Sequence, residues 1–245
     1  MDYKKYLEIP NASIPDEIKK TIKNKGGITK TLFENKNDIL VNNELKYECG
    51  YEEIDDYYLV SMYTPMPKVT KEMVDWWFWW HPQDSIRYKS WYPGEHKGIS
   101  YSKKNKLYFS NKEVPIFENN TQYPVEKVGK LYAPLSIDFV TPEEFGYDLN
   151  LMKENDVETI VCGHVGAFKG RIPNTEMSHI FFKDKDGLLL VSRFWLGKLV
   201  KSKFLKKKLV TEEQAKCMAE HCCVEYRNFA LKIPQMYNEW LEEDK

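Results

Sequence analysis

The spacing of apolar and polar positions changes twice along the chain. Residues 15–24 read as a short helix stopped by Gly26-Gly27, and a polar loop follows through Asn43. Residues 45–62 are richer in aromatic and β-branched side chains and predict one or two strands. Thr70 can N-cap a helix that begins Lys71-Glu72-Met73 and runs into Trp76-Trp77-Phe78-Trp79-Trp80. That helix is apolar nearly all round, which predicts burial, and Pro82 ends or bends it directly after His81.

From Gly98 to Gly197 the period shortens to that of strands. Residues 99–102, 107–110 and 111–117 are short extended runs, and residues 130–140 and 159–168 are longer ones. Residues 177–182 and 188–196 flank Asp186-Gly187, a hairpin signal. Residues 201–208 read as a solvated basic loop. Thr211-Glu212-Glu213-Gln214 is a capping box that opens a helix reaching about Glu242, with a kink expected at Pro234.

A long C-terminal helix laid across a curved antiparallel sheet encloses a cavity. This is the α+β helix-grip arrangement of START and Bet v 1-like folds. Residues 1–66 read as an N-terminal extension and a candidate dimer interface, and residues 67–245 as the helix-grip catalytic domain.

A chain of 245 residues can bury one sizeable core. With 36 basic against 37 acidic residues it lacks the basic excess of a nucleic-acid or membrane-surface protein. The 16 Tyr, 12 Phe and 7 Trp suit either an enclosed planar ligand or simply an aromatic core. The charged start predicts no secretory leader, and no apolar run reaches the length of a membrane span. Five irregularly placed cysteines point to free thiols in a reducing cytoplasm.

The chemistry concentrates on the last helix. His221 and Glu225 are four residues apart and share one face with Met218, Cys222 and Phe229. His-x-x-x-Glu is a weak motif by itself, and a hydrogen-bonded pair within the helix would also account for it. An uncompensated carboxylate on an apolar stripe costs several kcal/mol, however, and a metal ion would compensate it. His81, after the tryptophan run, is the third candidate ligand. Glu113 is the candidate fourth, with Glu118 and Glu95 as rivals. Cys217, Cys222 and Cys223 could offer a thiolate but read better as buried structural thiols. His164 and His179 lie in apolar strands, as satisfied core residues or as acid/base groups of the cavity, whereas His96 reads as surface. Two histidines and two glutamates suit zinc, iron, cobalt and manganese alike.

Asp75-Trp76-Trp77-Phe78-Trp79-Trp80-His81, then Arg87-Tyr88-Lys89-x-Trp91-x-Pro93-x-x-His96, resembles the phloretin hydrolase and diacetylphloroglucinol hydrolase family. Ser192-Arg193-Phe194-Trp195-Leu196-Gly197 and the helical His221-x-x-x-Glu225 follow in the family's order, so the likeness spans residues 65–240. The resemblance implies a Bet v 1-like fold with Zn2+ held by His81, Glu113, His221 and Glu225. It implies hydrolysis of the carbon–carbon bond between a polyhydroxylated ring and a ketone carbonyl in a small aromatic ketone. His164 resembles a histidine that the family places beside substrate. Asp84 stands where the family has an amide-bearing substrate contact, and His179 where it has a tyrosine. The alternatives are a non-enzymatic carrier of an apolar aromatic ligand, which has no need of Glu225 in its cavity, and a metal-free polyketide cyclase.

Overall fold

The computed structural model describes residues 3–243; residues 1, 2, 244 and 245, at the outer ends of the two expected segments, lie outside the described residues. Among the described residues nine strands form one antiparallel sheet: β1 (Gly50–Ile54), β2 (Tyr57–Pro67), β3 (His96–Gly98), β4 (Asn120–Gln122), β5 (Val125–Lys127), β6 (Tyr132–Val140), β7 (Val157–Ala167), β8 (Ile172–Asp184) and β9 (Gly187–Leu196). Their order is β1-β2-β9-β8-β7-β6-β5-β3, with β4 paired to β6. The helices are α1 (Asp16–Lys23), α2 (Asp38–Val41), α3 (Asn43–Lys46), α4 (Lys71–Trp80), α5 (Ser85–Trp91), α6 (Lys106–Phe109), α7 (Pro142–Phe145), α8 (Leu149–Glu154), α9 (Lys203–Leu209) and α10 (Glu212–Glu243).

The sheet is buried on both faces, and the strand period sorts its residues between them. On β8, Met177 and Phe181 face the core beneath α10, while Ile180 and Phe182 face a second cluster. On β9, Leu188, Leu190 and Phe194 point to the first cluster, and Leu189, Val191 and Trp195 to the second. The second cluster is closed by Ile39 and Leu40 of α2, Leu45 of α3 and Phe145 of α7. The sheet gripped by α10 is the expected architecture.

Several boundaries differ from the sequence reading. The expected division at residue 66 falls inside β2, which pairs with β9 over ten consecutive positions, so the first 66 residues contribute a strand to the interior of the sheet. Of residues 107–110, expected as a strand, the first three belong to α6 and Ser110 caps it, because four residues are too few for periodicity to separate helix from strand. Residues 111–117 contain no strand. The basic loop contains α9, capped where Ser202 Oγ accepts from Leu205 N at 3.4 Å and tied to the sheet side by Lys206–Asp56 at 2.8 Å. The β8–β9 turn centres on Lys185-Asp186, since Asp184 pairs with Gly187. A Cβ on Gly187 would stand 2.4 Å from Met66 O, so β2 can approach this strand end only against glycine.

α4 forms as expected, with Thr70 Oγ1 accepting from Met73 N at 3.4 Å and seven of its side chains buried. Two of its tryptophans pack on the end of α10: Trp76 meets Tyr237 at 5.2 Å and Trp240 at 5.6 Å between centroids, and Trp79 meets Trp240 at 6.3 Å. α10 starts at the Thr211 cap and contains Pro234 without ending there.

Candidate metal centre

Two short-range geometries converge beneath α10. His96 and Glu126 are directly opposed in the β3–β5 ladder, so their side chains share a face. His221 and Glu225 are one turn apart on α10. One ligand atom from each of these four residues lies within 4.8 Å of all the others. His96 Nε2 is 3.2 Å from Glu225 Oε1 and 3.8 Å from Glu126 Oε2, and both carboxylate side chains are only 13 % exposed.

The surrounding bonds orient the ligands. His96 Nδ1 contacts Tyr88 O at 3.1 Å, and since a carbonyl only accepts, the ring proton sits on Nδ1 and Nε2 presents a lone pair. The Tyr88 ring stacks on His96 at 4.0 Å and 6°, and its hydroxyl donates to Glu126 Oε2 at 2.6 Å. Nε2 of both His96 and His221 is buried without a hydrogen-bond partner. Burial pushes the Glu225 carboxyl well above the usual carboxylate range, with His221 opposing and Glu126 adding to the shift. Burial likewise lowers His96 to about 4. A lone pair facing two carboxylate oxygens is repulsive unless a proton or cation lies between them. Two imidazole nitrogens and two carboxylates in this arrangement fit a divalent metal ion.

Of the expected ligands, His221 and Glu225 are therefore brought together, and His81 and Glu113 are not in the cluster. His81 has a different local task. Its Nδ1 donates to Trp77 O at 2.6 Å, its ring lies against Trp77 and Tyr88, and burial lowers it to about 3. Glu113 is exposed on a bend, and Glu118 is exposed as well. Glu95 pairs with Lys127 at 3.3 Å. The place given to His81 is taken by His96, which is 3 % exposed rather than on the surface, and that given to Glu113 by Glu126. β3 and β5 are three residues each, too short for a periodic signal, so only their ladder reveals the pair.

The cavity beside the cluster is lined by Phe78, Trp91, Phe139, Met177 and Phe194, with Glu126, His221 and Glu225 at one side. His179 faces it from β8, its Nδ1 2.8 Å from Ser192 Oγ on β9 and its pKa pushed down to about 3 by burial. His164 is on the other face of the sheet, because its β7 neighbour Val165 lines the cavity and strand neighbours alternate. There its Nδ1 meets Glu176 Oε2 at 2.5 Å, a bond that raises the histidine's pKa. Asp84 is exposed and caps α5 by accepting from Ile86 N at 2.8 Å. Cys222 lines the cavity, and burial holds its thiol well above the usual range, so it does not act as a thiolate there.

A helix-grip protein whose cavity ends on a buried His-Glu cluster is the class that fold and site define. The family model described as the DAPG hydrolase PhiG domain matches residues 31–238, and the chain belongs to that family. It is 30 % identical to the phloretin hydrolase of Eubacterium ramulus over 254 aligned positions, which cover 98 % of this chain and 90 % of that protein. It is 32 % identical to the 2,4-diacetylphloroglucinol hydrolase of Pseudomonas protegens over 135 positions, covering 54 % of this chain and 43 % of the relative. Among solved structures, a STAR-related lipid transfer protein fragment from Xanthomonas axonopodis superposes with a TM-score of 0.40 at 10 % identity, over 73 % of this chain and 91 % of that one. Among the described residues no helix is long and apolar enough to cross a membrane.

Proposed function

We propose that this protein is a metal-dependent hydrolase of small aromatic ketones. It cleaves the carbon–carbon bond between a polyhydroxylated ring and a ketone carbonyl, as in phloretin or diacetylphloroglucinol, and releases a carboxylic acid. The observation that carries this reading is the buried cluster of His96, Glu126, His221 and Glu225, with Nε2 of both histidines unpartnered, beside an aromatic-lined cavity in a chain of this family.

In the net reaction water supplies an oxygen to the acyl carbon and a proton to the ring carbon, and the bond between those carbons breaks. His96, Glu126, His221 and Glu225 would hold the ion, zinc in this reading, which when bound would supply Lewis-acid chemistry at the acyl carbonyl and at water. Phe78, Trp91 and Phe194 bind the ring and exclude bulk water. Tyr88 holds Glu126 in place through its hydroxyl. Glu225, at the cavity wall beside the other three residues, is placed to take a proton from the attacking water and to return it to the acyl-bearing ring carbon. His179, neutral and held by Ser192, orients a ring hydroxyl through Nε2. Five free cysteines accord with a reducing cytoplasm.

The test is incubation of zinc-loaded protein with a 2,4,6-trihydroxyphenyl ketone in oxygen-18 water. The expected result is equimolar acid and phloroglucinol, with label in the acid and loss of turnover on chelation. Saturable binding of the ketone without any turnover by the loaded protein would replace the hydrolase with the carrier.

A further inference from the structure

The C-terminal end of α4 is capped by four side chains, and two of them have a second face in the cavity. His81 Nδ1 donates to Trp77 O at 2.6 Å, Gln122 Nε2 to Phe78 O at 3.1 Å, Gln83 Nε2 to Trp79 O at 3.0 Å, and Arg87 Nη1 to Trp80 O at 3.0 Å. These carbonyls are the last four of the helix; that of Trp77 also accepts from the His81 backbone N–H, and beyond it backbone donors of the helix run out. His81 and Gln122 also line the cavity.

Bonding to carbonyls leaves both residues one hydrogen-bonding sense toward a ligand. The His81 proton must sit on Nδ1, which makes Nε2 an acceptor. Gln122 spends its second amide hydrogen on Asn120 Oδ1 at 3.0 Å. Asn120 is itself oriented by donating from Nδ2 to Glu118 O at 2.8 Å, so neither amide can flip without setting oxygen against oxygen. Gln122 Oε1 therefore remains as an acceptor. Among the described residues no protein donor reaches His81 Nε2 or Gln122 Oε1.

The two caps sit on successive carbonyls, those of Trp77 and Phe78, and both line the cavity, whose rim here is the end of α4. Tyr88 places that rim relative to the reacting end. Its ring lies between His81, 5.6 Å away and tilted 23°, and His96, 4.0 Å away and tilted 6°. An acceptor pair one aromatic layer from the candidate metal centre is placed to meet the ring of a ketone whose carbonyl lies at that centre.

We propose that His81 Nε2 and Gln122 Oε1 form an acceptor-only pair that selects substrates whose ring carries two free hydroxyl donors. The inference rests on the hydrolase reading and adds residues that set its ring specificity. An O-methylated ring loses a donor and leaves a buried acceptor unpaired, a mismatch that hydrogen-bonding sites reject strongly.

The experiment compares kcat/KM of the zinc-loaded enzyme for a 2,4,6-trihydroxyphenyl ketone with that for its 2-O-methyl and 4-O-methyl ethers. Wild type is expected to disfavour at least one ether by about 100-fold or more. Gln122→Met is expected to lose about tenfold on the parent ketone and to bring the parent-to-ether ratio within about threefold of unity. The wild-type ratio retained in a Gln122→Met protein of unchanged metal content and Tm overturns the proposal. Should Gln122→Met not fold, His81→Phe decides, because phenylalanine keeps the stack on Tyr88: a levelled ratio supports the pair and a retained one overturns it. Wild-type turnover of parent and both ethers at equal efficiency refutes the pair alone, whereas no turnover of any of the ketones overturns the hydrolase reading and the pair together.

Discussion

Replacing Glu225 by glutamine should make the metal-free protein more stable while abolishing its response to metal. Without a cation, Glu225 Oε1 stands 3.2 Å from the lone pair of His96 Nε2, with Glu126 contributing a second carboxylate to the same space. An uncompensated buried charge is the penalty, and a buried polar group left unsatisfied costs about 1–3 kcal/mol, more when it is charged. The Gln amide can also donate to His96 Nε2. We take about 1–2 kcal/mol at pH 8, which at this chain length corresponds to about 2–8 °C in Tm. Because the folded-state pKa of Glu225 is raised, folding binds a proton there. The destabilisation is absent below the ordinary value of 4.5 and grows as pH rises through the folded value, so the advantage of the variant should be present at pH 8 and nearly gone at pH 4.5. Zinc at about a thousandfold excess over its Kd should add about 4 kcal/mol to wild type and little to the variant. Melting curves followed by circular dichroism, with chelator and with zinc, at both pH values, check this. A chelated variant that melts below chelated wild type at pH 8, or one that gains the wild-type increment from zinc, would refute the reasoning.

Three further outcomes are expected. His96→Ala and Glu126→Gln should each lower zinc content by tenfold or more, whereas Glu113→Gln and His81→Phe should leave it at the wild-type level; metal analysis of the dialysed proteins separates the two ligand sets. Zinc binding at pH 7 should expel protons from the cluster and weaken as pH falls, because Glu225 must ionise to bind; isothermal calorimetry in buffers of different ionisation enthalpy counts the protons, and none released would contradict the raised carboxyl. Lys232, 1 % exposed, donates to Ser90 O at 2.9 Å and is lowered to about 8 by burial. Its folded pKa lies below the ordinary 10.5, so wild-type stability should receive a rising contribution from about pH 8 to 10.5 that Lys232→Met lacks, and parallel urea midpoints across that range would count against it.

The elements that the sequence made legible are those long enough to repeat their own signal. α4 carries a threonine cap and a breaker, β7, β8 and β9 exceed nine residues, and α10 runs 32 residues with His221 and Glu225 on one stripe. The motif block from Asp75 to His96 was visible too, but not which of its two histidines turns toward Glu225. His81 follows five bulky residues and looked the more buried; His96, beside Lys97, looked exposed. Both are buried, and the difference lies in what each ring nitrogen meets. His81 Nδ1 is drawn to a carbonyl of its own helix, while His96 is carried by β3 across from Glu126. The face that His164 takes is illegible for a related reason: a strand with both faces buried carries no apolar-polar alternation to say which face a residue takes.

Local sequence by itself determined where α4 and α10 begin, that a sheet lies between them, and that one helical turn offers an imidazole and a carboxylate to a single point. Capping, helical spacing and strand propensity act over a few residues and can be read from them. The other half of the cluster depended on tertiary structure, because His96 and Glu126 are thirty residues apart and meet only when β3 and β5 pair. The same pairing buries them under α10 and so brings two ordinary surface-type residues into one cluster with His221 and Glu225.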